Sequence, residues 1–158
     1  MAQHYDPHNF NPRNSLGYLL KTNHQLIHEC ADRIFANHDM TFMQWLALIK
    51  LENGLAETAS DLCRTLSHDN GAITRMIDQL ESRGFVVRER SQQDRRVVKL
   101  SITAAGSATL AELTPPFIEN LNSALDSFSA EEFAELNRLL GKLKMCFEQS
   151  STSEREPS

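Results

Sequence analysis

The chain has 158 residues, 41% of them hydrophobic, and a formal net charge of −5 at pH 7, a size typical of one globular domain. No apolar run approaches the roughly 20 residues that a membrane-spanning helix needs, and residues 1–14 lack the cationic start and apolar middle of a secretory signal. We therefore expect a cytoplasmic protein with no membrane partner.

The negative total conceals a cationic segment. Eight basic and six acidic residues lie between Thr58 and Gly106, a net charge of +2, so the rest of the chain carries −7. Between Phe85 and Thr103 there are five basic residues and two acidic ones. Such a segment would let one face approach phosphate groups, although an ordinary solvated surface also produces charge runs.

Three cysteines, Cys30, Cys63 and Cys146, are an odd number without a close pair, which predicts neither a disulfide framework nor a zinc site. Buried reduced thiols are the simplest interpretation. A redox-sensing thiol is the alternative, and no neighbouring residue singles one out.

Two amphipathic helices are predicted first, from residue 16 to 37–39 and from 42 to 52, because apolar residues recur there every three or four positions. The candidate N-caps are Asn14 or Ser15 for the first helix, and Thr41 in a capping box with Gln44 for the second.

Two more helices follow, a short one from Thr58 to Leu66 and a longer one from Asp69 to Arg83. Gly84 stands where a left-handed residue would end the longer helix. Its predicted inner face consists of Ile73, Met76, Ile77 and Leu80. The period then changes to two, which predicts strands at 85–90 and 96–102 joined by a polar, cationic turn.

Thr103 is the predicted N-cap of a helix that reaches about Phe128, with a kink or break near Leu113 to Thr114 caused by Pro115 and Pro116. Ser129 and Glu132 form a capping box that opens a last helix. An apolar seam along this helix needs a packing partner. The seam consists of Phe133, Leu136, Leu140, Leu143 and Phe147.

This order of elements predicts a mostly α-helical, winged helix-turn-helix fold with a small β-wing. We expect a flexible N-terminal arm (1–12), dimerisation helices (13–40 and 107–149), a winged helix-turn-helix DNA-binding domain (41–106) and a disordered tail (150–158). The terminal helices would leave apolar stripes bare in a single copy, and a two-fold homodimer would bury them.

Residues 61–106 resemble the MarR family of transcriptional regulators. The resemblance is carried by residues 73–88, which include Thr74, Arg75 and the Arg83-Gly84 pair, by Asp-Arg-Arg at 94–96, and by Thr103 to Gly106. This combination is more specific than a bare helix-turn-helix pattern. It implies a dimeric winged-helix DNA-binding protein that needs no cofactor.

The longer helix would enter the major groove with its N-terminal residues facing base edges. Asn pairs well with adenine and Arg with guanine, and Thr can bond a base or a phosphate. For Arg75 the alternative is a structural interaction, an ion pair with Asp78 or a contact with nearby Gln79, and Asp69 is expected to cap the helix. The candidate contacts are His68, Asn70, Gly71, Ala72, Thr74 and Arg75.

Arg95 and Arg96 at the turn of the wing could enter a narrow minor groove. The resemblance implies that Asp94 orients Arg96 by a charge-assisted hydrogen bond. The alternative is a rim salt bridge that contributes ~0–1 kcal/mol. The predicted contacts to the DNA backbone, which carry no sequence information, are Arg88, Arg90 and Lys99.

The resemblance also implies a small-molecule pocket between the dimerisation helices and the winged domain. We favour a phenolic or other aromatic carboxylate effector. His24 and His28 have a spacing that could suit a metal, but no further ligands accompany them, and Trp45 could simply be core. The candidate effector-binding residues are Arg13, Tyr18, His24, His28 and Trp45.

We therefore predict a sequence-specific transcriptional regulator, a repressor in our interpretation, that binds a palindromic operator in double-stranded DNA as a homodimer and is released by the effector. The chain has no catalytic motif such as a Walker loop, an HExxH or a nucleophile elbow, so we expect no enzyme. The alternative is a winged-helix protein–protein interaction module, an anti-activator without DNA binding.

Overall fold

The computed structural model describes residues 4–94 and 96–153, with side chains described up to Ser150. These residues form a mostly helical fold with one two-stranded antiparallel sheet, which confirms the predicted fold class. Short 3₁₀ helices at Pro12–Asn14 and Ala36–His38 flank the first α-helix. The main elements are α1 (Leu16–Phe35), α2 (Phe42–Glu52), α3 (Ala59–Leu66), α4 (Asn70–Ser82), β1 (Val86–Arg90), β2 (Val98–Ile102), α5 (Ala104–Ala124) and α6 (Ala130–Ser153).

The predicted helix starts are confirmed by their capping hydrogen bonds. Ser15 rather than Asn14 caps α1, since its Oγ accepts from the backbone N–H of Tyr18. Both halves of the capping box are present at Thr41 in α2 and at Thr58 in α3. These bonds satisfy backbone N–H groups that have no partner inside the helix.

An aromatic cluster forms the centre of the core between α1, α2 and the first part of α5. It consists of Phe35, Phe42, Trp45 and Phe117, whose ring centroids lie 5.2 to 5.7 Å apart. Packing of this kind holds α2 against α1 and the part of α5 up to Phe117, because each large ring removes much apolar surface from water.

The hairpin is anchored at both ends. In its register Val86 faces Ile102 and Arg90 faces Val98. The backbone N–H of Leu100 donates to the carbonyl of Glu57 in the α2–α3 connection (2.8 Å). Thr103 Oγ1 donates to the carbonyl of Gly84 (2.6 Å), which has the predicted left-handed conformation (φ 73°). The wing is therefore held by the end of α4 and the start of α5.

The predicted break at the proline pair is absent, because α5 runs without interruption from Ala104 to Ala124. Two prolines remove two helical donors, but Leu113 and Phe117 on either side of them are almost fully buried. Burial of these side chains stabilises the helix on both sides of the pair. The last helix also differs from the prediction, since it continues past Gln149 to Ser153.

By its contacts the chain divides into two compact units, one ending at Phe117 and the other beginning at Ile118. Each unit carries a helix with an exposed apolar stripe. In the part of the chain that the structure describes, no helix is both long enough and apolar enough for a bilayer. The exposed apolar residues are Tyr18, Leu19, Leu20, Leu26 and Ile27 on α1, and Phe133, Leu136, Leu139, Leu140, Met145 and Phe147 on α6.

Candidate nucleic-acid interface

Helix α4 presents one buried and one exposed face. The predicted inner residues Ile73, Met76, Ile77 and Leu80 are all buried, as the 3.6-residue period requires. The opposite face, with Thr74, Arg75 and Asp78, is exposed. The helix can therefore offer these side chains to a groove without disturbing the core.

The N-terminus of α4 is capped by Asp69. Its Oδ1 accepts from the backbone N–H of Ala72 (2.9 Å), which confirms the predicted capping role. This bond lowers the pKa of the Asp69 carboxyl below its ordinary value. The contribution of the cap to stability is therefore complete at neutral pH, and it is lost as the pH falls through that lowered pKa.

The polar candidates in the first turn are oriented by local hydrogen bonds. Asn70 Oδ1 accepts from the thiol of Cys63 on α3 (3.0 Å), so its amide N–H groups remain available as donors. Thr74 Oγ1 donates to the carbonyl of Asn70 (2.7 Å) and keeps its lone pairs for a donor on DNA. His68 Nδ1 donates to the carbonyl of Leu66 (2.9 Å). At Gly71 an added Cβ would approach Asp69 Oδ1 to 3.2 Å.

Arg75 is exposed and makes no ion pair with any described residue. The alternative role considered for it, a pair with Asp78, is wrong, because the carboxylate of Asp78 binds Arg88 instead. The guanidinium is left with its planar set of five donors, which is the geometry that reads the edge of guanine.

Arg88, predicted as a backbone contact, is a clamp between the wing and α4 in the structure. Its Nη2 donates to Asp78 Oδ1 (2.5 Å) and its Nη1 donates to Glu81 Oε2. The side chain is only 29% exposed. Because both ends of the guanidinium are engaged by carboxylates, Arg88 positions β1 on α4, and its role as a phosphate contact is corrected.

Lys99 is also paired, through Nζ to Glu57 Oε2 (2.6 Å), although it remains half exposed. Arg90 and Arg96 are exposed, and Arg95 lies outside the described residues.

The implied bond between Asp94 and the side chain of Arg96 is replaced by a different one: Asp94 Oδ1 accepts from the backbone N–H of Arg96 (2.9 Å). Asp94 therefore shapes the turn and leaves the Arg96 guanidinium free to reach outward.

The salt dependence of DNA binding can distinguish the structural role of Arg88 from a phosphate contact. We expect Arg88→Gln to weaken DNA binding with an unchanged slope of log affinity against log salt, because the residue neutralises no phosphate. A true phosphate contact would reduce that slope by about 0.9 for each protomer of the bound protein. Fluorescence anisotropy with one duplex at several salt concentrations measures the slope, and Arg90→Gln is the matched variant, for which we expect the smaller slope.

The candidate effector residues do not form one group. Trp45 is only 8% exposed, and its Nε1 donates to Thr114 Oγ1 (3.3 Å), so it is part of the core rather than the lining of a pocket. Arg13 and Tyr18 lie near the start of α1. His24 and His28 lie farther along α1, with ring centroids 4.4 Å apart.

His28 connects this pair to the core, since its ring packs edge-on against Phe42 (4.5 Å). Its Nε2 is buried and has no hydrogen-bond partner among the described residues. Burial lowers the pKa of His28, and the neighbouring His24 lowers it further, which favours the neutral ring. Within residues 4–94 and 96–153, no cluster of three or more His, Cys, Asp or Glu side chains could hold a metal ion.

The sequence is similar to those of known transcriptional regulators. The sequence model of the MarR family matches residues 40–98. The chain is 29% identical over 122 residues to the HTH-type transcriptional regulator PecS of Dickeya dadantii, covering 75% of this chain and 74% of PecS. It is 27% identical over 120 residues to the HTH-type transcriptional regulator MgrA of Staphylococcus aureus, covering 76% of this chain and 80% of MgrA.

Solved structures agree with the sequence matches. The apo form of wild-type MarR from E. coli superimposes with a TM-score of 0.72 at 28% identity, over 84% of this chain and 98% of MarR. A mutant MarR from E. coli in complex with operator DNA gives a TM-score of 0.75 at 28% identity, over 85% of this chain and 99% of MarR. The fold is thus similar to one that has been observed on DNA.

Proposed function

We propose that this chain is a member of the MarR family and acts as a repressor, bound to a palindromic operator as a homodimer and released by a small effector. Members of the family are transcriptional regulators and not enzymes, so the protein is a DNA-binding regulator. A regulator of transcription acts where the DNA is, and we place it in the cytoplasm.

The observation that carries the proposal is that the start of α4 and the cationic turn of the wing are both exposed. Arg75 and the amide of Asn70 are available for base edges, and Arg96 extends from a turn that Asp94 shapes. In the proposed complex α4 lies in the major groove and the wing meets the adjacent minor groove. Arg90 and Arg95 would add contacts to phosphate or the minor groove, as would Lys99 if it exchanged Glu57 for DNA.

The exposed stripes on α1 and α6 support the homodimer. Large apolar side chains seldom form continuous exposed stripes on a monomer. Pairing with a second copy of the chain around a two-fold axis would bury such stripes. We assign dimerisation to residues 13–40 and 107–149 and DNA binding to residues 41–106. The two-fold symmetry of such a dimer accounts for a palindromic operator with half-sites about one helical turn apart.

For the effector we propose an aromatic or phenolic carboxylate that binds beside α1. The Nε2 of His28 has no hydrogen-bond partner among the described residues and lies next to the ring of Phe42, so it offers a hydrogen bond and an aromatic edge to such a molecule. Release would follow if the effector bound better to a dimer whose recognition helices have moved from the spacing of the operator.

Selection of bound sequences from random duplex DNA tests the proposal. We expect a palindromic site and a steep loss of affinity between 50 and 200 mM salt, of roughly 10³-fold or more for 6–10 phosphate contacts. Purified protein that ignores every duplex in dilute salt would refute DNA binding and favour an anti-activator. A selected site without two-fold symmetry would refute the dimeric complex.

The dimer makes its own prediction. A charge on the seam of α6, as in Leu140→Glu, should convert the dimer to monomers and abolish operator binding, because two carboxylates would be buried at the two-fold interface without partners. Light scattering at micromolar concentration measures the mass. Lys142→Glu is the control, since it adds a carboxylate two residues away, off the seam, and should remain dimeric. Wild-type protein that is monomeric at that concentration would contradict the assignment.

A further inference from the structure

Arg83 joins the C-terminal ends of two helices. It is the C-cap residue of α4, and its guanidinium lies over the ring of Phe85, 4.6 Å from the centroid. Its Nη2 donates to the carbonyl of His38 (2.6 Å) and its Nη1 donates to the carbonyl of Asp39. These carbonyls end the 3₁₀ turn that follows α1, where helical carbonyls have no internal partner and the helix dipole is negative.

The receiving segment is conformationally fixed. Asp39 has a left-handed backbone (φ 49°), which only a minority of non-glycine residues adopt. The imidazole of His38 faces α5, with Nε2 3.9 Å from Glu112 Oε1. The junction between α1 and α2 therefore contacts α4 through Arg83 and α5 through His38.

A second tether lies one helical turn earlier on α4. Gln44 Nε2 donates to Gln79 Oε1 (2.9 Å), while Gln44 Oε1 accepts from the backbone N–H of Thr41 in the capping box of α2. Gln44 is buried, so its orientation is set by these partners. The tethers hold the C-terminal half of α4 to the α1–α2 junction at two points, and the N-terminal half remains exposed for DNA.

We propose that Arg83, supported by Gln44, is a positioning residue that fixes the direction of the recognition helix relative to α1 and thereby sets the operator spacing that the protein accepts. This inference rests on the proposed function, in which α1 helps to form the dimer. Arg83 touches no DNA in this scheme, because carbonyl groups and an aromatic ring already engage its guanidinium.

The dependence of affinity on operator spacing tests this role, because a residue that only stabilised the fold would not change it. The affinities of wild type and Arg83→Gln are measured on the selected operator and on versions with one base pair inserted into or deleted from its centre. We expect the preference for the native spacing to fall at least about tenfold in Arg83→Gln, because the charge-assisted hydrogen bonds to the carbonyls of His38 and Asp39 are lost. The salt slope should be unchanged. Arg83→Lys keeps the charge but not the planar fork, and should restore part of the preference.

Arg138→Gln is the matched control and should keep the wild-type preference, because within residues 4–94 and 96–153 Arg138 bonds only Glu135, on its own helix. An equal loss of affinity on all spacings in Arg83→Gln would overturn the proposal, because it would mean that Arg83 only stabilises the fold. So would an unchanged preference in Arg83→Gln, or, if that variant does not fold, in Gln44→Met. Wild-type protein that binds no duplex would refute the proposed function itself, whereas a retained preference in the variants refutes only this inference.

Discussion

Arg75→Ala should be the most damaging substitution among the candidate contacts to DNA. A good bidentate contact to a base pair contributes about 1–3 kcal/mol of discrimination, and a homodimer loses it in both half-sites. The expected loss is therefore about 2–6 kcal/mol, or roughly 30-fold to 10⁴-fold in affinity. The structure supports this size because the Arg75 guanidinium is exposed and makes no ion pair within the described residues that would have to be broken first.

The measurement compares the selected operator with an unrelated duplex in the same salt. Binding to the unrelated duplex depends mainly on phosphate contacts, so Arg75→Ala should reduce it far less than binding to the operator. Arg138→Ala removes an equal charge from α6 and should change neither affinity by more than about twofold, since a distant surface charge is screened. An equal loss on both duplexes would mean that Arg75 contacts phosphate and reads no base.

Local features of this fold could be predicted from the sequence because their partners lie within a few residues. The boxes at Thr41 and Thr58 join a residue to its neighbour three positions on, and Gly84 supplies a backbone conformation that other residues adopt with strain. The inner face of α4 followed from its period alone. Each of these expectations needed no knowledge of the tertiary structure.

The roles of the cationic side chains could be predicted only in part. Arg88 and Arg90 lie two positions apart in one strand and appear equivalent in the sequence, yet one meets two carboxylates of α4 and the other faces solvent. Asp78 and Glu81 are three residues apart and so share a helical face, which was the one signal for a clamp. The partners of Arg83 are backbone carbonyls 44 and 45 positions away, and no sequence pattern marks such acceptors.

The effector residues show the same limit. Trp45 was a candidate because its helix could line a pocket, but burial depends on where Phe35, Phe42 and Phe117 converge. The proline pair in α5 illustrates the opposite case, in which a strong local signal is overruled. Propensity acts on one helix at a time, whereas burial of Leu113 and Phe117 acts through the whole core.

Gly106→Ala should produce the largest loss of stability among the substitutions considered. A Cβ at this position would lie 2.4 Å from the carbonyl oxygen of Phe85 and 2.7 Å from Cγ1 of Ile102, closer than atoms can approach without movement. The Phe85 carbonyl belongs to the backbone and also accepts from the N–H of Thr103 (3.0 Å), so relief of the clash breaks this bond or displaces the base of the wing. We expect a loss of about 3 kcal/mol in the free energy of unfolding, at the upper end for overpacking.

Chemical denaturation followed by circular dichroism measures this change, and Gly141→Ala supplies the control. Gly141 lies inside α6 with nothing within 4 Å of an added Cβ, so alanine there should stabilise the helix by up to about 1 kcal/mol. The two substitutions add the same methyl group to helical glycines, and opposite signs are expected because only Gly106 supports the contact between α5 and the hairpin. If Gly106→Ala were as stable as wild type, the wing would not be seated on α5 as described.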